Sequence, residues 1–133
     1  MDTGRKRILL IDDEATFARS LKSYLEQTGS YVVRAEHSGR AGLTAAKEFK
    51  PDLIMLDVIM PDMDGGGVAA ELTLDPQTGH IPVIFLTAVV SRDEVKKKEG
   101  VIAGQLFLAK PVSAKEVLAC LDRYLGTQRT VAS

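Results

Sequence analysis

The sequence has little cysteine, histidine or aromatic content, and it has no long apolar run. Its 133 residues include one cysteine, Cys120, together with two histidines and no tryptophan. One thiol cannot form an intramolecular disulfide, and with two histidines it offers too few ligands for a structural zinc site. No apolar run approaches the ~20 residues that a membrane-spanning helix needs. We therefore expect a cytoplasmic protein without disulfides, structural zinc or a membrane segment.

Charge of one sign is also not in excess, because 17 basic residues face 18 acidic ones and the net charge is -1. A protein that neutralises several backbone phosphates usually needs a clearly basic surface, so direct binding to nucleic acid is not expected. The length is that of one globular domain. We expect this domain to cover residues 1–126 and a short polar tail to cover residues 127–133, which leaves no room for a separate output domain.

Short apolar runs between polar segments predict buried β-strands. Runs without apolar–polar alternation are typical of parallel strands that are covered on both faces. The predicted strands are Ile8–Ile11, Leu53–Leu56, Pro82–Leu86 and Leu106–Ala109, with a weaker run at Tyr31–Val33.

Segments with helical spacing of apolar residues lie between these strands. The predicted helices cover residues 14–28, 38–49 and 65–74, and two more begin at the capping boxes of Ser91 and Ser113. Glycine disfavours helix, so the third helix is expected to start near Gly66 or Gly67 within its glycine triplet. Strand and helix thus alternate five times, which predicts an α/β fold of the (βα)5 type with right-handed crossovers.

Polar side chains follow four of the predicted strands. Asp12 and Asp13 follow the first strand, Asp57 the third, Thr87 the fourth and Lys110 the fifth. The carboxyl ends of parallel strands meet at one edge of a sheet, where ligands bind. Carboxylates held close together repel each other, which raises a pKa or recruits a cation, and such oxygen ligands suit Mg²⁺. An ammonium and a hydroxyl beside them can hold the oxygens of a transferring phosphoryl group, and a carboxylate can itself be the nucleophile.

Four segments of the chain resemble the receiver domains of two-component response regulators, and they occur in the order found in that family. They are Ile8–Glu14, Asp52–Gly65, Ile81–Ala88 and Phe107–Pro111. The resemblance covers nearly the whole chain. It implies a flavodoxin-like, doubly wound parallel sheet of five strands in the order 2-1-3-4-5, and it makes residues 1–126 a receiver domain.

The resemblance also implies how the chain takes up a phosphoryl group. Asp57 would accept it from a sensor histidine kinase or a histidine phosphotransfer protein. Asp12, Asp13, Asp57 and the backbone carbonyl of Ile59 would hold Mg²⁺, with Mn²⁺ as an alternative. The only chemistry of such a domain is its own phosphorylation and dephosphorylation, so it is a phosphoacceptor signalling domain and not an enzyme.

The resemblance further implies a conformational switch. Lys110 would pair with the phosphoryl group through its ammonium, and its bond to Pro111 is cis in the family. Thr87 would hydrogen-bond a phosphoryl oxygen, while Phe107 stands where the family has an aromatic side chain that swings inward. The switch reshapes the face made by the fourth predicted helix, the fifth predicted strand and the fifth predicted helix, which would control a downstream protein. The chain would be a monomer or a phosphorylation-dependent dimer.

Two features depart from the pattern of the family, and two other functions stay open. Most relatives have tyrosine where Phe107 stands, and the segment Glu99–Gln105 is longer than usual. A nucleotide- or flavin-binding doubly wound domain is an alternative, although it needs a phosphate-binding loop after the first strand, where Asp12–Glu14 has the wrong charge. A non-phosphorylated protein-interaction domain is a second alternative. Asp12 and Asp13, taken alone, are more often a helix cap.

Overall fold

The computed structural model describes residues 4–88, 101–102, 105–110 and 112–126. The helix predicted to begin at Ser91, which is the fourth helix of the predicted (βα)5 fold, lies outside the described residues. The bond between Lys110 and Pro111 and the tail over residues 127–133 lie outside them as well. Within the described part, no helix combines the length and the hydrophobicity that a membrane crossing requires.

One sheet forms the centre of the molecule. Its strands are β1 (Lys6–Ile11), β2 (Tyr31–Glu36), β3 (Leu53–Asp57), β4 (Val83–Thr87), β5 (Val101–Ile102) and β6 (Gln105–Ala109). Their order in the sheet is β2-β1-β3-β4-β6-β5. Five of these described strands are parallel, and their order confirms the predicted 2-1-3-4-5, with β6 as the predicted fifth strand. The two-residue β5 pairs antiparallel with β6 and was not predicted.

Three described helices connect parallel strands and a fourth follows β6, and a side-chain cap marks the start of all but the first. The described helices are α1 (Ala15–Gln27), α2 (Gly39–Phe49), α3 (Gly65–Leu74) and α4 (Ala114–Leu125). Ser38 caps α2 through its side chain. Ser113 and Glu116 form the predicted capping box of α4, in which each side chain accepts a hydrogen bond from the other residue's backbone N–H. These two sequence signals are therefore confirmed.

The start of α3 differs from the prediction. The helix begins at Gly65, because the side chain of Asp64 accepts a hydrogen bond from Gly67 N at 2.7 Å and caps it one residue earlier than expected. A Cβ atom on Gly65 would lie 2.6 Å from the backbone oxygen of Asp57 and 2.7 Å from Val58 Cα. The absence of a side chain at this position therefore lets α3 approach the carboxyl end of β3.

The apolar side chains form one layer on each face of the sheet. On one face, Ile8 and Leu10 of β1 pack with the buried residues of α1 and α4. On the other face, Leu9 and Ile11 pack with those of α2 and α3. The two middle strands β1 and β3 are therefore covered on both sides, which explains their continuous apolar sequence. The carboxyl ends of these buried strands are where the chain turns polar.

Candidate functional site

Four polar residues lie at the carboxyl edge of the sheet. Asp12 directly follows β1, Asp57 and Thr87 are the last residues of β3 and β4, and Lys110 directly follows β6. The backbone N–H of Lys110 donates to the carbonyl oxygen of Thr87 at 2.8 Å, which joins two of the strand ends. The parallel pairing of the sheet thus brings residues that are far apart in the sequence to one place.

Three carboxylates converge there. One oxygen each of Asp12, Asp13 and Asp57 lies within 4.8 Å of the others. Asp12 is fully buried and Asp57 is 6% exposed, whereas Asp13 lies on the surface. Glu14 N donates to Asp12 Oδ1 at 2.9 Å, and Ile59 N donates to Asp57 Oδ1 at 3.2 Å. These backbone hydrogen bonds hold one oxygen of each buried carboxylate in place.

Burial and like charge act together on Asp57. Its burial, followed by the negative charge of Asp12, raises the pKa of Asp57 from 3.8 to about 6. The hydrogen bond from Ile59 and the charge of Lys110 act in the opposite direction. The ionised carboxylate is thus available at neutral pH but is held in surroundings that favour an added positive charge.

The donor set fits a hard divalent cation. It consists of carboxylate oxygens, and Mg²⁺ prefers oxygen ligands. Oδ2 of Asp12 is buried, and the cation that faces it is the ammonium of Lys110, at 2.8 Å. A buried carboxylate oxygen in that position is costly unless a cation faces it. Asp12, Asp13 and Asp57 are therefore the residues that could hold such an ion, and the backbone of Ile59 lies beside them.

Lys110 supplies one positive charge to this cluster. Its Nζ lies 2.8 Å from Asp12 Oδ2 and 3.5 Å from Asp57 Oδ2, and it also forms an ion pair with Glu14 Oε1 at 2.5 Å. The ring of Phe17 lies 4.9 Å from Nζ. Burial alone would lower the pKa of Lys110, but the contacts with Asp12 and Glu14 outweigh it and raise the pKa. The side chain is therefore a stable cation.

Thr87 and Phe107 lie on neighbouring strands. Thr87 is buried and pairs in register with Ala109, two residues beyond Phe107. The ring of Phe107 stacks on that of Phe85, with the centroids 5.1 Å apart and the planes at 25°. Phe107 is half-buried and packs against the α2–α3 side of the core. An aromatic pair therefore lies two to three residues before the polar side chains at the ends of these strands.

Comparisons with known proteins identify the family. Residues 8–122 match the family model of the response regulator receiver domain. The chain belongs to this family. Over 121 residues it is 35% identical to Protein PilH of Pseudomonas aeruginosa, covering 90% of this chain and 98% of PilH. It is 36% identical over 120 residues to the DNA-binding response regulator MtrA of Mycobacterium tuberculosis, covering 90% of this chain and 50% of MtrA.

A solved receiver domain is also similar. The receiver domain of the sensor histidine kinase PA1611 of Pseudomonas aeruginosa has a TM-score of 0.75 and 25% identity, and the match covers 92% of this chain and 99% of that domain. That structure has a magnesium ion coordinated in its active-site cleft. Receiver domains thus occur alone in a chain, as half of a longer regulator, and as a part of a kinase, and all belong to two-component signalling.

Two residues at the edge of this receiver domain were not assigned a role from the sequence. In the sequence, Glu14 stands only as part of an acidic segment, and the four-residue spacing of Phe17, Leu21 and Leu25 predicts that Phe17 lies in the core. Both contact the ammonium of Lys110. The signal was the position of Glu14 directly after the acidic pair at the end of β1, with Phe17 three residues later on the same face of α1.

Proposed function

We propose that this receiver domain accepts a phosphoryl group on Asp57 from a sensor histidine kinase or a histidine phosphotransfer protein. Asp12, Asp13, Asp57 and the backbone carbonyl of Ile59 would hold Mg²⁺, or Mn²⁺ in its place. The observation that supports this is the meeting of three carboxylates and one ammonium at the carboxyl ends of parallel strands. No other group of three potential metal ligands occurs within the residues that the structure describes.

Asp57 is favoured over Asp12 as the acceptor by its surroundings. Asp12 is fully buried, one of its oxygens accepts the N–H of Glu14, and the other faces Lys110 at 2.8 Å. Asp57 retains some exposure, and its Oδ2 lies farther from Lys110, at 3.5 Å. A phosphoryl donor can therefore approach Asp57 more easily than Asp12.

The reaction is a transfer from nitrogen to oxygen. A carboxylate oxygen of Asp57 attacks phosphorus, the bond from phosphorus to the donor imidazole breaks, and the imidazole nitrogen takes up a proton from solvent. When bound, Mg²⁺ supplies positive charge to the phosphoryl oxygens. The ammonium of Lys110 and the hydroxyl of Thr87 hold the remaining oxygens, and the product is an aspartyl phosphate on this chain.

The output would be a change of protein contacts. Phosphorylation adds a charge of about -1.5 to -2, and this charge draws in Thr87 and Lys110. The ring of Phe107 then leaves its stack on Phe85 and turns inward. The surface formed by the predicted fourth helix, β6 and α4 would bind a downstream protein, with the domain over residues 1–126 acting as a monomer or a phosphorylation-dependent dimer in the cytoplasm.

Intact-mass measurement after incubation with Mg²⁺ and acetyl phosphate tests the acceptor. We expect one phosphoryl adduct on the wild-type chain and none on Asp57→Asn. The matched control is Asp52→Asn, just before the opposite end of β3, where the carboxylate accepts the N–H of Arg7; it should be modified like the wild type. An adduct retained on Asp57→Asn, or none on the wild type under conditions that modify another receiver domain, would overturn the proposal.

A further inference from the structure

We propose that Glu14 is a positioning residue for Lys110. Its carboxylate is a second ion-pair partner for the ammonium at the rim of the site, so that Asp12 and Asp57 can bind a divalent cation instead. This inference deepens the proposed function and depends on its metal site. It does not depend on the phosphorylation of Asp57.

The distances show that Lys110 is shared between the inside and the outside of the site. Its Nζ lies 2.5 Å from Glu14 Oε1, closer than to Asp12 Oδ2 at 2.8 Å or to Asp57 Oδ2 at 3.5 Å. The side chain of Glu14 is 61% exposed, while that of Asp12 is fully buried. One ammonium therefore bridges a carboxylate at the rim and the carboxylates within.

The rim also offers the ammonium room and a second favourable contact. A pocket of about 310 Å³ lies on this side of Lys110, lined by Glu14, Phe17, Ala88, Lys110 and Val112. The ring of Phe17 lies 4.9 Å from Nζ, within the range of a cation–π contact. A small rotation of the lysine side chain can thus move the ammonium outward while it keeps its contact with Glu14.

Lys110 and a divalent cation would compete for Asp12, which explains why a second ion-pair partner for the ammonium matters. Asp12 Oδ2 faces Lys110, and the same carboxylate belongs to the group that could hold a metal ion. Two cations repel each other at one oxygen, so a divalent ion at Asp12 must push the ammonium away. Glu14 keeps the displaced ammonium paired and thereby lowers the cost of metal binding. Without Glu14, the ammonium would rest on Asp12 and Asp57 and compete with the ion.

A double-mutant cycle on Mg²⁺ affinity tests this inference. The Kd for Mg²⁺ is measured by isothermal titration calorimetry for wild type, Glu14→Gln, Lys110→Met and the double variant. Loss of the negative charge of Glu14 weakens Mg²⁺ binding by the same factor in both backgrounds. The positioning role adds a further factor, about threefold to tenfold, only where Lys110 is present.

The outcomes separate this inference from the function above. Equal factors in the two backgrounds would overturn the role of Glu14 and leave the phosphoacceptor proposal intact. Absence of Mg²⁺ binding by the wild-type chain would overturn both the role of Glu14 and the metal site. If Lys110→Met does not fold, Glu14→Asp keeps the charge but withdraws the carboxylate. It should then weaken Mg²⁺ binding by the positioning factor alone, about threefold to tenfold, and a wild-type Kd would overturn the inference.

Discussion

Two clusters in this protein join one cation to carboxylates, and they differ in their access to water. The outer cluster consists of Arg34 on β2 with Glu36 at 2.8 Å and Glu48 at 3.1 Å. The inner cluster consists of Lys110 with Asp12, Glu14 and Asp57 at the carboxyl edge of the sheet. The Arg34 side chain is 35% exposed and that of Lys110 is 12% exposed. The same kinds of charge therefore lie in two different environments.

The difference shows how burial changes the electrostatics of a cluster of charges. In the outer cluster, the hydrogen bond to Glu36 is the main cause that raises the pKa of Arg34, and water solvates the rest. Such exposed pairs contribute about 0–1 kcal/mol to stability. In the inner cluster, burial is the main cause that raises the pKa of Asp57. Its carboxylates favour an additional positive charge, which a metal ion can provide.

Removal of the cation from each cluster should give the largest difference in the free energy of unfolding between the two clusters. We expect Lys110→Met to lower the free energy of unfolding by about 3 kcal/mol in a chelator, because two buried carboxylates lose their counter-charge. Arg34→Met, the matched variant, should lower it much less, because water solvates the carboxylates that remain. Urea unfolding measures both, and Mg²⁺ should restore much of the loss in Lys110→Met. Equal losses in the two variants would show that burial does not distinguish the clusters.

The pH dependence of the free energy of unfolding should also distinguish the two clusters, by a smaller difference than removal of the cations. The pKa of Asp57 is raised to about 6 from its ordinary 3.8, so the folded chain binds more protons than the unfolded chain between these values. The stability from this group is therefore present at low pH and, without metal, is lost as the pH rises through about 6.

Asp57→Asn isolates this contribution. Other carboxylates titrate in the opposite direction: backbone hydrogen bonds from Gly39 and Arg40 lower the pKa of Asp62, so its contribution is lost in acid. The wild type and Asp57→Asn share these groups, so their contributions cancel when the two proteins are compared. The advantage of Asp57→Asn over wild type in urea unfolding should grow between about pH 4 and about pH 7. An advantage that does not change with pH would contradict the raised pKa.

The sequence predicted the fold best where the elements are buried. β1 and β3 are covered on both faces, so each is a continuous apolar run. At the edge, β2 extends to Glu36, beyond the predicted Tyr31–Val33, because its second half faces water and alternates with polar residues. The start of α3 is set by the cap that Asp64 provides, a local signal that the low helix propensity of the glycine triplet obscured. The strand β5 depends on pairing with β6, a tertiary contact that local sequence does not encode.

The site could be predicted only as far as strand ends determine it. In a parallel sheet, Asp12, Asp57 and Lys110 must reach the same edge whatever their side chains do. The ion pair of Lys110 with Glu14 depends in addition on where α1 begins and on the direction of two long side chains. The contact of Lys110 with the ring of Phe17 likewise depends on the position of α1 and on the direction of the lysine side chain. Periodicity assigned this ring to the core, and the structure places it at the border between core and site.

Screening by salt should give the smallest difference in the free energy of unfolding, and it tests access to water directly. Glu48→Gln removes one exposed carboxylate of the outer cluster, so we expect it to lower the free energy of unfolding by no more than about 0.5 kcal/mol at low salt. At 1 M salt the screening length is about 3 Å, and this difference should disappear. The advantage of Asp57→Asn at neutral pH should persist there, because buried charges are screened much less. Urea unfolding of both variants at two salt concentrations measures this. If the effect of Glu48→Gln also survived salt, the outer cluster would be shielded from water as well, and access to water could not be what distinguishes the two clusters.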